Sequence, residues 1–184
     1  MSFLEIDFST LIQKHTQKYR KKREEKKDGG FRELTIPDEK LKRIQRKILD
    51  EILMREIKPH SACYGLEKKK GVKHEALQHL HNHNKALLLL DIKDFFPSLA
   101  PKHIKGFLRE LGYSPDNTNL LTKLMTKDFA VPQGVPASTY LACCYLRKFD
   151  ETITQRAQEN EVTYTRFIDD IKLSGDKKSV QKVG

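Results

Sequence analysis

The sequence contains no tryptophan, only three cysteines, and no apolar run near the roughly 20 residues that cross a bilayer. Cys63, Cys143 and Cys144 form no Cys-x-x-Cys pair, which excludes a disulfide framework and a cysteine-rich zinc site and fits a reducing compartment. The first residues, Met-Ser-Phe-Leu-Glu, carry an acid early and no apolar leader stretch, so no secretory signal is expected. Internal repeats and low-complexity linkers are also missing. Together these absences predict a soluble, cytoplasmic protein with no membrane partner. Nine Phe and six Tyr supply material for a packed core. A length of 184 residues suits one domain, or one domain with an extension.

Positive charge is in excess, with 35 Lys and Arg against 25 Asp and Glu. The excess is concentrated: from Lys14 to Lys47 there are 14 basic and 6 acidic residues. The densest part runs Tyr19-Arg20-Lys21-Lys22-Arg23, with Lys26 and Lys27 just beyond. Arg43 and Arg46 follow, and Lys69 and Lys70 belong to a second small cluster. Such a run is either a solvated helix face or a surface that neutralises phosphates and releases counterions.

The apolar residues Phe3, Leu4, Phe8, Leu11 and Ile12, fading into the basic run, predict a helix over residues 3–27, broken by Asp28-Gly29-Gly30. Phe31 to Ile36 reads as a short strand. Leu41, Ile44, Ile48 and Ile52 at helical spacing predict an amphipathic helix over 37–56, with Pro37 in its first turn. Helices are also expected over 72–84, 101–111 and 115–128. Ser138 reads as the N-cap of a long helix reaching about Asn160, with Cys143 and Cys144 as core residues inside it. The apolar run Ala86 to Leu90 predicts a strand buried on both faces and ending in Asp91. Two β-branched and aromatic stretches separated by Asp169-Asp170 predict a hairpin with both acids in its turn, and a further helix follows Asp176.

Asp91, Asp169 and Asp170 are the chemically suggestive residues. Adjacent acids in one turn repel each other, and a third acid at a neighbouring strand end adds to this. A fold tolerates such a set when cations occupy it. Two Mg²⁺ ions bridged by carboxylates clamp the attacking and leaving oxygens of a phosphoryl transfer, and Mg²⁺ needs only a few hard oxygen ligands from the protein. Taken singly, an Asp at a strand end or in a turn is ordinary.

The surrounding residues are more specific. Leu90-Asp91-Ile92-Lys93-Asp94-Phe95-Phe96-Pro97-Ser98 resembles the first catalytic motif of bacterial reverse transcriptases. Val131-Pro132-Gln133-Gly134-Val135-Pro136-Ala137-Ser138 resembles their Pro-Gln-Gly motif, and Tyr164-Thr165-Arg166-Phe167-Ile168-Asp169-Asp170 resembles their Tyr-x-Asp-Asp hairpin. The segment from Lys26 to Leu34 resembles their fingertip strand pair, and Ile36-Pro37 with Leu41 to Arg46 resembles the helix that follows it. Glu75-Ala76-Leu77-Gln78-His79 stands where retron enzymes carry an Asn-Ala-x-x-His element, with Glu in place of Asn. The retron and related defence branch is the nearest resemblance, and group II intron enzymes share the Asp-x-x-x-Phe-Phe type of motif.

The resemblance implies an α+β right-hand polymerase, with an N-terminal helix and fingers over 1–85 and a partial palm over 86–184. It implies an RNA-directed DNA polymerase that uses two Mg²⁺ ions, a structured RNA template and primer, and dNTPs, in phage defence with an effector protein. Asp91, Asp169 and Asp170 would be catalytic. They and the Ile92 carbonyl would hold the metal. Lys27, Arg32, Gln133, Gly134 and the backbone at Asp94 and Phe95 would meet the nucleotide, and Phe96 would exclude a 2′-hydroxyl. Lys21, Lys22, Arg23, Lys26, Arg43, Arg46, Lys69 and Lys70 would meet nucleic acid. The family continues past this point with more palm, a primer-gripping hairpin and a thumb. An RNA-binding module unable to extend a primer is therefore the alternative expectation.

Two positions depart from the family pattern. Phe167 stands where Tyr is usual, and Ile168 where Ala, Val or Met is usual. Neither removes a metal ligand, but a β-branched residue at 168 is costly if its φ is positive. His79 and His83 share a helical face that could chelate a metal, without an evident third ligand; a polar face near nucleic acid is the preferred expectation. Tyr64 either stacks on a template base or is an ordinary half-buried ring.

Overall fold

The basic run is a strand, not the end of a helix. In the computed structural model, which describes residues 18–25, 29–67, 69–80 and 85–184, strand β1 (Tyr19–Glu25) pairs antiparallel with β2 (Phe31–Pro37) along its whole length, from Tyr19↔Pro37 to Glu25↔Phe31. Arg, Lys and Glu favour helix intrinsically, but pairing with a partner strand seven residues long outweighs that preference. The earlier part of the expected helix, residues 3–17, lies outside the described residues, as do 26–28, 68 and 81–84.

Contacts divide the chain into two units. The first is Met1–Ile57 with Phe96–Ala142, and the second is Lys58–Phe95 with Cys143–Gly184. In the first, helix α1 begins at Glu39 (Glu39–Lys47) and continues through a π-helical stretch (Ile48–Leu53) into a last turn (Met54–Glu56). Pro37 ends β2 instead of opening the helix; Asp38 is the cap, its carboxylate accepting from the Leu41 N–H at 2.8 Å. Leu41, Ile44, Ile48 and Ile52 are all buried, each contributing roughly 1.5–3 kcal/mol by removal from water. Gln45 is buried beside them and donates to the Leu124 carbonyl at 2.8 Å.

The remaining helices of this unit are the end of a short helix α3 (Phe95–Ser98), then α4 (Pro101–Glu110), α5 (Pro115–Met125) and the start of α6 (Ser138–Tyr145). The helix expected over 138–160 is two helices: after α6 the chain breaks at Leu146 and resumes as α7 (Arg147–Glu159). Ser138 opens α6, but its hydroxyl makes no capping bond among the described residues.

The second unit is built on a four-stranded mixed sheet. Its strands are β3 (Cys63–Tyr64), β4 (Ala86–Asp91), β5 (Thr163–Phe167) and β6 (Asp170–Gly175), in the order β3-β5-β6-β4. β3 runs parallel to β5, and the other pairs are antiparallel. Helix α2 (Val72–Gln78), helix α7 and the last helix α8 (Lys177–Val183) belong to the same unit. Its core joins Ala157, Val162, Tyr164, Ile171, Leu173, Val180 and Val183. The chain is thus α+β with a mixed sheet.

β4 departs from expectation. It is a strand ending at Asp91, but Leu87, Leu89 and Leu90 are exposed, so it is not buried on both faces. The reason is that its two faces differ: Ala86 and Leu88 pack on the core cluster, while Leu87 and Leu89 point to the opposite face, which is open to solvent. All three cysteines are buried and free, and burial pushes the Cys144 thiol up to about 12. Among the described residues no helix is long and apolar enough to cross a membrane.

Candidate active site

The β5–β6 hairpin brings the acids together. Phe167 pairs with Asp170, leaving Ile168 and Asp169 as a two-residue loop. Asp170 is the first residue of β6 and lies directly across from Asp91, the last residue of β4. The Ile92 N–H donates to the Asp169 carbonyl at 3.1 Å, closing this end of the sheet. Three carboxylates, from β4, from β6 and from the β5–β6 loop, therefore sit at one sheet end.

Ile168 has φ 61. Two-residue hairpin loops need positive φ at the first loop position, where glycine is usual. Here the cost falls on a β-branched residue, roughly 1–2 kcal/mol. The side chains of Phe167 and Ile168 lie over Gly65, where an added Cβ would stand 3.0 Å from the Phe167 ring and 3.2 Å from Ile168. Glycine at 65, itself at φ 91, lets the loop settle this closely.

Asp91 and Asp170 are exposed and Asp169 is half-buried. Burial, then the charges of Asp170 and Asp91, hold the Asp169 carboxyl above the usual carboxylate range, against the opposing pull of its own backbone N–H and of Arg166. Among the described residues no group of three or more His, Cys, Asp or Glu forms a ready metal cage. An ion that keeps water and substrate phosphates in its shell does not need one. A solvent-open set of hard oxygens with like charges suits Mg²⁺ in that role. Asp94 follows in a turn at φ 50, and Phe95 is buried, as a core ring should be.

The first unit gathers a different set. The Thr35 N–H donates to the Gln133 carbonyl at 2.9 Å, and Gly134 (φ 90) lies against Leu34 and the Thr35 carbonyl. The Pro-Gln-Gly loop is thus pinned to β2, two to three residues beyond Arg32, which stands across from Glu24. On β1, Lys21 pairs with Glu33 at 2.8 Å, Lys22 with Glu24 at 3.7 Å, and Arg23 stacks over the Phe31 ring at 3.9 Å. Arg43 and Arg46 are on the exposed side of α1. Phe96 is half-buried in this unit. Lys26 and Lys27 lie outside the described residues.

In the second unit, Lys69 is exposed and Lys70 reaches the Ser61 carbonyl at 3.5 Å, with the half-buried Tyr64 ring 6.0 Å away. His79 does not face outward. Its Nδ1 is 2.6 Å from the Ser174 hydroxyl and its Nε2 is 2.8 Å from the Thr165 hydroxyl. Both ring nitrogens are engaged with the sheet, which removes it as a metal ligand; His83 lies outside the described residues.

Behind the acids stands a set that sequence reading missed. Asp150 and Arg166 have fully buried side chains and form an ion pair, with the Tyr164 hydroxyl donating to the same carboxylate at 2.5 Å. The available signal was an Arg on the same strand face as Tyr164, a core position in an otherwise uncharged strand.

Residues 24–183 match a family profile described as reverse transcriptase (RNA-dependent DNA polymerase). The chain belongs to that family. It is similar to retron reverse transcriptases: 31% identical over 170 residues to the retron Ec73 enzyme of Escherichia coli, covering 86% of this chain and 54% of that protein. The retron Ec86 enzyme of Escherichia coli is 34% identical over 161 residues, covering 86% and 49%. The retron Mx65 enzyme of Myxococcus xanthus is 32% identical over 169 residues, covering 82% and 39%. The chain therefore spans about half, or less, of the length of these relatives.

Proposed function

We propose that this chain carries the fingers and palm of a retron-type RNA-directed DNA polymerase, with the fingers up to about residue 85 and the palm after it. The observation that carries the reading is the convergence of Asp91, Asp169 and Asp170 at one end of the sheet. The reaction is attack of a primer 3′-hydroxyl on the α-phosphorus of a dNTP paired to an RNA template, with pyrophosphate leaving. Asp91 and Asp169, with Asp170 and the Ile92 carbonyl nearby, would hold two Mg²⁺ ions. When bound, these ions supply the positive charge that steadies the attacking and leaving oxygens.

The other residues position and select. Arg32 fits a triphosphate with its planar fork, and Lys27 adds a point charge. The backbone at Asp94 and Phe95 meets the same phosphates. Phe96 would sit under the sugar, where a ring collides with a 2′-hydroxyl. Gln133 and Gly134 meet the nucleotide and template. Lys21, Lys22, Arg23, Lys26, Arg43, Arg46, Lys69 and Lys70 are assigned to the RNA backbone, where contacts weaken steeply with salt.

Primer extension on an RNA template with dNTPs and Mg²⁺, comparing the wild type with Asp169→Ala, tests this. Product from the wild type alone supports it. If both proteins bind RNA and neither extends the primer, this chain is an RNA-binding module. Phe96→Ala should raise ribonucleotide incorporation; an unchanged preference removes the gate role.

A further inference from the structure

We infer that Arg166 is a positioning residue for the catalytic carboxylates: its guanidinium clamps the Ile168–Asp169 peptide in a strained conformation that aims Asp169. The inference rests on the polymerase reading above.

All five N–H donors of Arg166 have acceptors. Nε donates to Asp150 Oδ1 at 2.8 Å, and one terminal nitrogen donates to Asp150 Oδ2 at 2.5 Å and to the Cys143 carbonyl at 3.3 Å. The other terminal nitrogen donates to the Ile168 carbonyl and contacts Cys143 Sγ at 3.7 Å. The Tyr164 hydroxyl fixes Asp150 from the strand side. The guanidinium is thus held on two sides before it reaches the loop.

Stability alone is a weak reason for this arrangement. A fully buried ion pair is often no better than apolar residues of similar volume, because both charges lose their hydration. An apolar replacement, however, has no donor for the Ile168 carbonyl. Ile168 is at φ 61, a conformation that a β-branched residue leaves unless its surroundings hold it. The carbonyl that Arg166 grips belongs to the same rigid peptide plane as the nitrogen and Cα of Asp169, the Cα from which the carboxylate side chain springs. Fixing one end of that plane fixes the other. Misplacing a reacting group by about 1 Å costs roughly 100-fold in rate.

The test uses Arg166→Lys in the full chain. Lysine keeps the charge beside Asp150 but cannot fork to both Asp150 and Ile168. The control is Val180→Ala, alone or with Val183→Ala, chosen to match the variant's melting temperature from the other side of the same core. Primer extension should show kcat down by roughly 100-fold in Arg166→Lys, with KM for dNTP within about threefold of the wild type. Hydrogen exchange across residues 167–171 should accelerate in Arg166→Lys and not in the control. Equal kcat losses in variant and control, or unchanged exchange in Arg166→Lys, overturn the assignment. If Arg166→Lys does not fold, Tyr164→Phe loosens the same clamp. It should lower kcat by several-fold and accelerate the same exchange, and wild-type behaviour in both overturns the assignment. A wild type that makes no product counts against the polymerase reading, while the exchange comparison still decides whether Arg166 holds the loop.

Discussion

Glu75 and Lys172 form an ion pair at 2.5 Å in which the carboxylate is fully buried and the ammonium is partly exposed. The other Glu75 oxygen accepts from the Thr165 hydroxyl at 2.9 Å. Helix α2 is thereby fastened to both strands of the hairpin, and Lys172 is two residues from Asp170. Glu75 occupies the place where the resembling retron element has Asn. An Asn needs no cation, whereas a buried carboxylate does, and Lys172 supplies it.

The two halves of this pair should respond unequally to removal. Lys172→Ala strands a buried carboxylate, which costs about 3–5 kcal/mol. Glu75→Gln keeps an acceptor for Thr165 and leaves an ammonium that can turn to water, so its cost should be about 1–2 kcal/mol. Urea unfolding measures both, and the opposite order would show that Lys172 is not the compensating charge.

A pH dependence follows from His79. Thr165 spends its single O–H on Glu75, so His79 Nε2–H donates to Thr165, and in the neutral ring Nδ1 accepts from Ser174. Burial lowers the His79 pKa from 6.5, with Lys172 pulling the same way and Glu75 opposing. A histidine with a depressed folded pKa contributes stability that is present above its unfolded value and lost as pH falls through its folded one. The melting temperature should therefore fall more steeply in the wild type than in His79→Gln as pH drops below about 6.5. Parallel curves would remove His79 as the source.

The acids were readable because their signals are local: two β-rich stretches around Asp169-Asp170, and an apolar run ending at Asp91. In the fold β4 and β6 are neighbours, which sets Asp91 across from Asp170. What sequence hid is long-range or contextual. Tyr19–Glu25 has a helix-forming composition and becomes a strand only through β2. Leu87 and Leu89 look like core, yet they lie on the face of β4 turned away from the core cluster and are exposed. Asp150 and Arg166 lie on different elements, and no spacing rule joins them. His79 was visible as part of a motif, but its two hydroxyl partners are 86 and 95 residues away.

A second strained loop offers a stability test without touching the acids. Lys127 and Ala130 exchange both backbone hydrogen bonds around Asp128 (φ 49) and Phe129 (φ 64). Positive φ at both loop residues is the geometry that favours Asn-Gly or Asp-Gly, and Phe129 is 88% exposed, so its ring gains little from packing. Phe129→Gly should stabilise the protein by about 1 kcal/mol, raising the melting temperature by about 2–4 °C. A lower melting temperature would mean that the ring packs against something that exposure conceals.

Asp169→Asn should separate stability from chemistry. Burial and the neighbouring Asp91 and Asp170 raise the Asp169 pKa above its ordinary value. An acid whose folded pKa is raised binds its proton more readily when folded, so stability rises as pH falls through the window between the unfolded and folded values. Near neutral pH the ionised carboxylate is a net cost, and the neutral amide escapes it. Without Mg²⁺, Asp169→Asn should melt above the wild type near pH 7, with the gap closing towards about pH 4. Millimolar Mg²⁺ should raise the wild-type melting temperature and leave the variant unmoved, because only a species that binds the folded state stabilises it. If the variant melts lower at neutral pH, the repulsion among these acids is already relieved without a cation, and this sheet end is not built for one.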